Sequence, residues 1–301
     1  MLIHRLVEFQ MQQRPVAKHR AGRVSCAVRH GLQGLSQGEN MNRICTITIP
    51  CLVMLVLASL PARAEDFKPP YLEPSDWTYE GPDGSRHRTT AAKDAKTETV
   101  KKMFAAAGVS YPPEQLFFRV FKLENVLEVW AASKSKGPLT HVATYEICYK
   151  SGKLGPKRRT GDQQVPEGFY HLDYYNKHSA FYLSMRISYP NRSDKILGHR
   201  KPGSAIMIHG NCVSIGCLAM SDERIQELWL MTRTMADRKR KVFVHAFPAR
   251  DFGKLLANPL YIGHHNFWKN LQEGYEIFMT SRILPRVSID KKGTYLFREG
   301  Q

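Results

Sequence analysis

The sequence contains no glycine-rich nucleotide loop, no calcium-binding loop and no internal repeat. The first two absences remove the usual marks of a bound cofactor, and no cofactor or resident metal is expected. The third excludes solenoids and propellers, which need repeating units. Acidic residues are scarce as well: 27 Asp and Glu stand against 44 Lys and Arg, a formal net charge of +17. Such an excess suits an anionic partner, whether nucleic acid, a membrane surface or an acidic polymer. Cysteine is sparse, with six in 301 residues. What is present, 43% hydrophobic and 10% aromatic residues, is the composition of a globular protein with a core.

The apolar run Ile44 to Leu60 follows Arg43 and ends at Ala62-Arg63-Ala64. A basic start, an apolar middle and a small-residue exit make the pattern of a secretory signal peptide over 41–64, with cleavage after Ala64. An uncleaved anchor is the alternative, but about 17 residues is the lower limit for a membrane span, and Pro50 and Pro61 bracket its core. Thr48-Ile49-Pro50 before Cys51 lack the small residues expected beside a lipidated cysteine. Residues 1–40 are polar and basic, and read as an upstream extension from a start assigned too early, with Met41 as initiator. The expected location is therefore the periplasm or cell envelope. Residues 65–301 keep 36 basic and 25 acidic residues, a net charge of +11. An exported chain does not usually meet nucleic acid, so the charge points to a wall polymer or phospholipid headgroups. Cys148, Cys212 and Cys217 remain after residue 64. An odd number in an oxidising compartment leaves at least one free thiol.

Residues 65–96 read as a leader or linker, rich in Pro, Gly and polar residues at its start. Residues 91–107 are good helix formers, and Gly108 supplies a stop. The period then changes. The runs 116–122, 126–132, 141–149, 168–175, 181–189, 205–210 and 241–247 carry β-branched and aromatic residues bounded by turn signals, and predict strands. Ser221 is an N-cap residue ahead of a helix over 222–238. Residues 265–281 predict an amphipathic helix whose aromatic stripe is core packing, and His264-His265 form its entry. The fold class expected is α+β, strand-rich in its middle, with one domain over 97–301.

The chemistry concentrates in Ile208-His209-Gly210-Asn211-Cys212-Val213-Ser214-Ile215-Gly216-Cys217. A strand delivers His209 to its end, and a seven-residue loop returns to Cys217 just before a helix. An imidazole can take the proton of a thiol that is otherwise mostly protonated at neutral pH. Gly216 allows close approach of backbone and substrate. The amides of Ile215, Gly216 and Cys217 are expected to point at the oxygen of a tetrahedral intermediate. No acid lies within the loop, so the carbonyl of Gly210 is the expected partner that fixes the His209 tautomer.

This stretch resembles the L,D-transpeptidase catalytic domain (YkuD type), whose signature is a histidine-glycine followed by S-x-G-C. His209-Gly210 and Ser214-Ile215-Gly216-Cys217 match it, at a shorter spacing than in many members. The compact form is similar to the YafK-like branch. Residues 117–130, 151–157, 161–170 and 187–191 and the aromatic C-terminal helix agree with it. The resemblance covers about 115–298. It implies a strand-rich β-sandwich core with flanking helices. It also implies peptidoglycan stem peptides as substrate, with Cys217 attacking the carbonyl of meso-diaminopimelate. An amine of another stem, or an outer-membrane lipoprotein lysine, then resolves the acyl-enzyme. Resolution by water, detaching that lipoprotein from the wall, is the hydrolytic alternative. The carry-over gives Cys217 as nucleophile, His209 as base and Gly210 as the orienting carbonyl, with Ser214 and Gly216 shaping the pocket.

Other readings stay open. Cys212 and Cys217 with His209 and His245 make a possible zinc set, and a non-catalytic envelope-binding module held by zinc or a disulfide would follow. Cys212 pairs with Cys148, or bridges reversibly to Cys217, or stays a buried thiol. Tyr170 and Arg186 are candidates for the substrate groove, and His245 and His171 for its surroundings.

Overall fold

Successive residues of a strand face opposite ways, and the aromatic runs of this chain use both faces. A computed structural model describes residues 87–300. The upstream extension, the signal segment and residues 65–86 of the expected linker lie outside the described residues. Strand β1 (Gln115–Phe121) pairs antiparallel with β2 (Val126–Ala132), and β2 with β3 (Thr140–Glu146). Along β1, Phe118 and Val120 enter one buried cluster while Phe117 and Phe121 enter two others.

The remaining strands are β4 (Gly168–Ser179), β5 (Tyr182–Ile187), β6 (Met207–His209), β7 (Leu218–Ala219) and β8 (Phe243–Phe247). Together the eight form one mixed sheet in the order β3-β2-β1-β8-β4-β5-β6-β7. β8 lies parallel to β1 and antiparallel to β4. Strand β4 joins the two halves. Gly168 to His171 pair with β8, and the residues from Leu172 onward pair with β5 through two register shifts.

Two helices fill the main core against this sheet. α1 (Arg88–Ala106) buries Val100 and Phe104, and Gly108, at φ +67, turns the chain away where a side chain would be strained. The helix starts at Arg88, so the expected domain boundary at 97 is corrected: Ala91 and Ala92 are already buried. α3 (Asp222–Asp237) buries Ile225, Leu228, Trp229 and Met231, and its N-cap Ser221 accepts a hydrogen bond from Arg224 N. Between them in sequence lies the single turn-and-a-half α2 (Arg192–Leu197), closed by an Asn191–Asp194 capping box.

The opposite face is covered by α4 (Phe252–Ala257), a 3-10 turn (Pro259–His264) and α5 (His265–Ser281), followed by the hairpin β9 (Arg286–Ile289) and β10 (Tyr295–Arg298). Trp268 and Leu271 of α5 pack there with Phe121, Phe169 and Phe247. A buried ion pair crosses this layer. Lys122 Nζ lies 3.0 Å from Glu167 Oε1 and donates to the carbonyls of Gly155 and Val165. Glu167 in turn accepts from Trp268 Nε1 at 2.7 Å and from Gly155 N. No described helix is long and apolar enough to cross a membrane.

Candidate active site

Strand β6 ends at His209 and runs parallel to β7, with Ile208 opposite Leu218 and His209 opposite Ala219. Ile208 and Leu218 both enter the main core. Alternation therefore turns His209 and Cys217, the residues on either side of that pair, toward the other face. Cys217 Sγ accepts from Met207 N at 3.4 Å and donates to Ala205 O at 3.8 Å. Cys217 is the free cysteine among the described residues, and it is partly exposed.

His209 is buried, its ring 4.8 Å from that of Phe181. Its Nδ1 lies 2.6 Å from Gly210 O. A carbonyl only accepts, so the proton sits on Nδ1 and the lone pair on Nε2. Gly210 is held by its own N–H to Leu183 O, and a Cβ there would lie 2.5 Å from Asp222 Oδ1. Burial pushes the His209 imidazole down to about 4, against the opposing pull of the Gly210 carbonyl. Burial likewise pushes the Cys217 thiol up, against the Met207 amide and the Lys157 ammonium. At neutral pH the pair is thus a thiol and a neutral imidazole. The two groups therefore form no standing ion pair.

The loop between them is braced rather than open. Ser214 Oγ accepts from Cys217 N at 2.7 Å and donates to Cys217 O at 2.8 Å. Gly216, at φ +96, donates its N–H to Ser151 Oγ at 2.6 Å, and Ser151 donates on to Gln163 O. The expectation that the amides of Ile215, Gly216 and Cys217 all face a substrate oxygen is therefore corrected. Two of the three are engaged by serine hydroxyls, while the Ile215 amide has no partner among the described residues. The Ile215 side chain points outward, 74% exposed.

Cys212 is bonded to Cys148. That bond removes Cys212 from any zinc set and from a bridge to Cys217, so both of those readings are corrected. It also fastens the loop, and Cys148 N donates to Ala219 O, two residues on from Cys217. Tyr170 is corrected from groove to core. It is 2% exposed, and its hydroxyl donates to Asp194 and to Glu167 O. Arg186 is spent on Asp173 and stacks on Tyr174. His171 meets Ser188. His245 lies between the Phe117 and Phe169 rings, where burial pushes it to about 3. It stands on β8, between β1 and β4, with two strands separating it from β6. His264 stands at the N-cap position of α5 without a side-chain cap bond, and its ring rests on Trp268.

Sequence reasoning missed Ser151 and Lys157. Both belong to the 151–157 stretch, whose glycines Gly152 and Gly155 take positive φ and mark it as a loop pressed against other backbone. A Cβ at Gly152 would lie 2.7 Å from Gln163 O.

The family model of the YkuD L,D-transpeptidase catalytic domain matches residues 119–244. A protein of Escherichia coli (strain K12) named "Putative L,D-transpeptidase YafK" is 34% identical over 177 residues, which is 58% of this chain and 70% of that one. Among solved structures, the helical cell shape determining protein Pgp2 from Campylobacter jejuni is 20% identical at a TM-score of 0.38, covering 50% of this chain and 56% of that one. Mycobacterium tuberculosis L,D-transpeptidase 1 is 13% identical at a TM-score of 0.24, covering 44% and 61%. Structural likeness of that degree carries no weight here; the sequence matches do, and by them the chain belongs to the YkuD family of L,D-transpeptidase catalytic domains.

Proposed function

We propose that the chain is an exported peptidoglycan L,D-transpeptidase of the cell envelope, with Cys217 as nucleophile and His209 as base. The Cys217 sulfur attacks the carbonyl of meso-diaminopimelate in a stem peptide and passes its proton to His209 Nε2. The C–N bond to the terminal D-alanine breaks, and the imidazolium returns the proton to the departing amine. The amine of a second stem peptide, or of an outer-membrane lipoprotein lysine, then attacks the thioester and frees the sulfur. No cofactor takes part.

The observation that carries this reading is the pairing of strands β6 and β7. It sets the free thiol two residues before Ala219, the strand partner of a histidine whose Nδ1–H is tied to Gly210 O, so that Nε2 is the basic nitrogen. General-base catalysis of this kind is worth about 10²–10⁴ in rate.

Intact-protein mass spectrometry after exposure to a carbapenem tests it. One adduct is expected on the wild-type chain, none on Cys217→Ala, and adduct formation slowed by about 100-fold or more in His209→Ala. An adduct that survives in Cys217→Ala, or a folded wild type that takes none, sinks the proposal. Products from stem peptides and lipoprotein-linked muropeptides then separate transfer, which yields a cross-linked dimer, from hydrolysis, which releases the lipoprotein.

A further inference from the structure

Two loops each touch the Cys217 segment. The first, residues 150–164, reaches it through Ser151, which holds Gly216 N. The second, residues 198–206, reaches it through Ala205 O, the partner of Cys217 Sγ. They clasp each other: Thr160 N donates to Lys201 O at 2.9 Å, His199 N donates to Arg158 O at 2.8 Å, and Gly203 sits against the Lys157 side chain.

The charge on these loops is one-sided. Their single acid is Asp162, and it is already committed to Lys157 at 2.5 Å and to the amides of Arg158 and Arg159. Arg158 is turned inward to Asp194 and the Phe267 ring. At the clasp, Arg159, Arg200 and Lys201 are exposed, and none of them is in an ion pair among the described residues. Three exposed cations without ion-pair partners, carried on two clasped loops, raise the local positive potential. Such a potential favours an anionic ligand, and arginine in particular matches a carboxylate with two parallel hydrogen bonds.

We propose that Arg159, Arg200 and Lys201 form a carboxylate-reading rim, which selects peptide substrates by the free carboxylates flanking the bond that Cys217 attacks. The inference rests on the proposed function for the identity of the attacking residue, and goes beyond it in saying how the substrate is chosen. A donor stem peptide carries two such groups, the terminal carboxylate and the side-chain carboxylate of diaminopimelate. Amidating either one removes a charge without altering the scissile bond. The rim therefore prefers free-acid stems over amidated stems, and acts on binding rather than on the chemical step.

Binding is measured by calorimetry on the full chain carrying Cys217→Ala, so that turnover is not needed. The probes are a synthetic stem tetrapeptide with both carboxylates free, and the same peptide with both amidated. The free acid is expected to bind at least tenfold tighter, with a Kd that weakens as salt is raised. Adding Arg159→Gln, Arg200→Gln and Lys201→Gln together is expected to weaken the free acid to the level of the amide and leave the amide unchanged. The three side chains are exposed, and a thermal melt matching the parent shows that the fold is kept. Equal binding of the two peptides overturns the rim. So does a free-acid preference that survives the triple substitution. A preference that the triple substitution removes but a generic polyanion such as polyphosphate equally suppresses at low micromolar levels also overturns it, because the surface would then be attracting charge without reading a carboxylate. Failure of the proposed function looks different: the wild type would take no carbapenem adduct, whatever these peptides do.

Discussion

Lowering the pH to about 5.5 should leave acylation of Cys217 almost as fast as at neutral pH. An imidazole in water titrates near 6.5, so at pH 5.5 only about a tenth of it keeps the lone pair needed to accept a proton. His209 is held near 4 by burial, so at pH 5.5 more than about 95% of it stays neutral. The two cases differ about tenfold in rate. Cys217 stays a thiol throughout this range because burial moves it upward, so its own titration does not intrude. The buried acid Asp194 does not confuse the result either. Asp194 is raised to about 6, above its unfolded value. A carboxyl of that kind stabilises the fold as the pH falls through the folded value, and loses that contribution as the pH rises through it. Acidification to 5.5 should therefore not unfold the chain through Asp194. The assay is the second-order rate of carbapenem acylation between pH 3.5 and 8, with circular dichroism at each pH. The expected acid limb has its midpoint near 4. A midpoint near 6.5 with the fold intact would refute the neutral thiol–imidazole pair.

Two further outcomes follow from the packing. Replacing Cys148 and Cys212 together by serine opens a loop of sequence separation 64. The chain-entropy account puts the loss near 4 kcal/mol, read as a lower urea midpoint, and acylation of Cys217 should slow because its loop loses one anchor; an unchanged midpoint would contradict this. Tyr170→Phe removes a donor from the buried Asp194 carboxylate and should cost about 1–3 kcal/mol while leaving acylation per folded molecule unchanged. A raised KM at unchanged stability would restore Tyr170 to the groove.

Local patterns carried much of the fold. The β-rich run 126–132 and the apolar stripe of 265–281 coincide with β2 and α5, because composition and spacing within a segment mark the element it forms. Ser221 could be read as a cap because capping needs only its own neighbourhood. The pairing of Phe117 with Phe243 could not be read, since nothing local encodes a partner over a hundred residues away. β7, two residues long, has no period to detect. The same division holds at the site. Motif spacing singled out His209 and Cys217, whose strands adjoin. It misplaced Tyr170, because aromatic strand residues look alike whether they line a groove or fill a core. The oxyanion amides were misjudged for a related reason. Gly216 N meets Ser151, which is distant in sequence, and Cys217 N meets Ser214; a backbone N–H gives no sign in the sequence of what it will meet.

The Lys122–Glu167 pair ties distant parts of the molecule into one mechanical unit. Through Gly155 it grips the segment that begins at Ser151, and through Trp268 it grips the far layer. A change as remote as Trp268→Phe would strip Glu167 of a donor and slacken that grip, so damage on the back of the protein should be transmitted to the loop that holds Cys217.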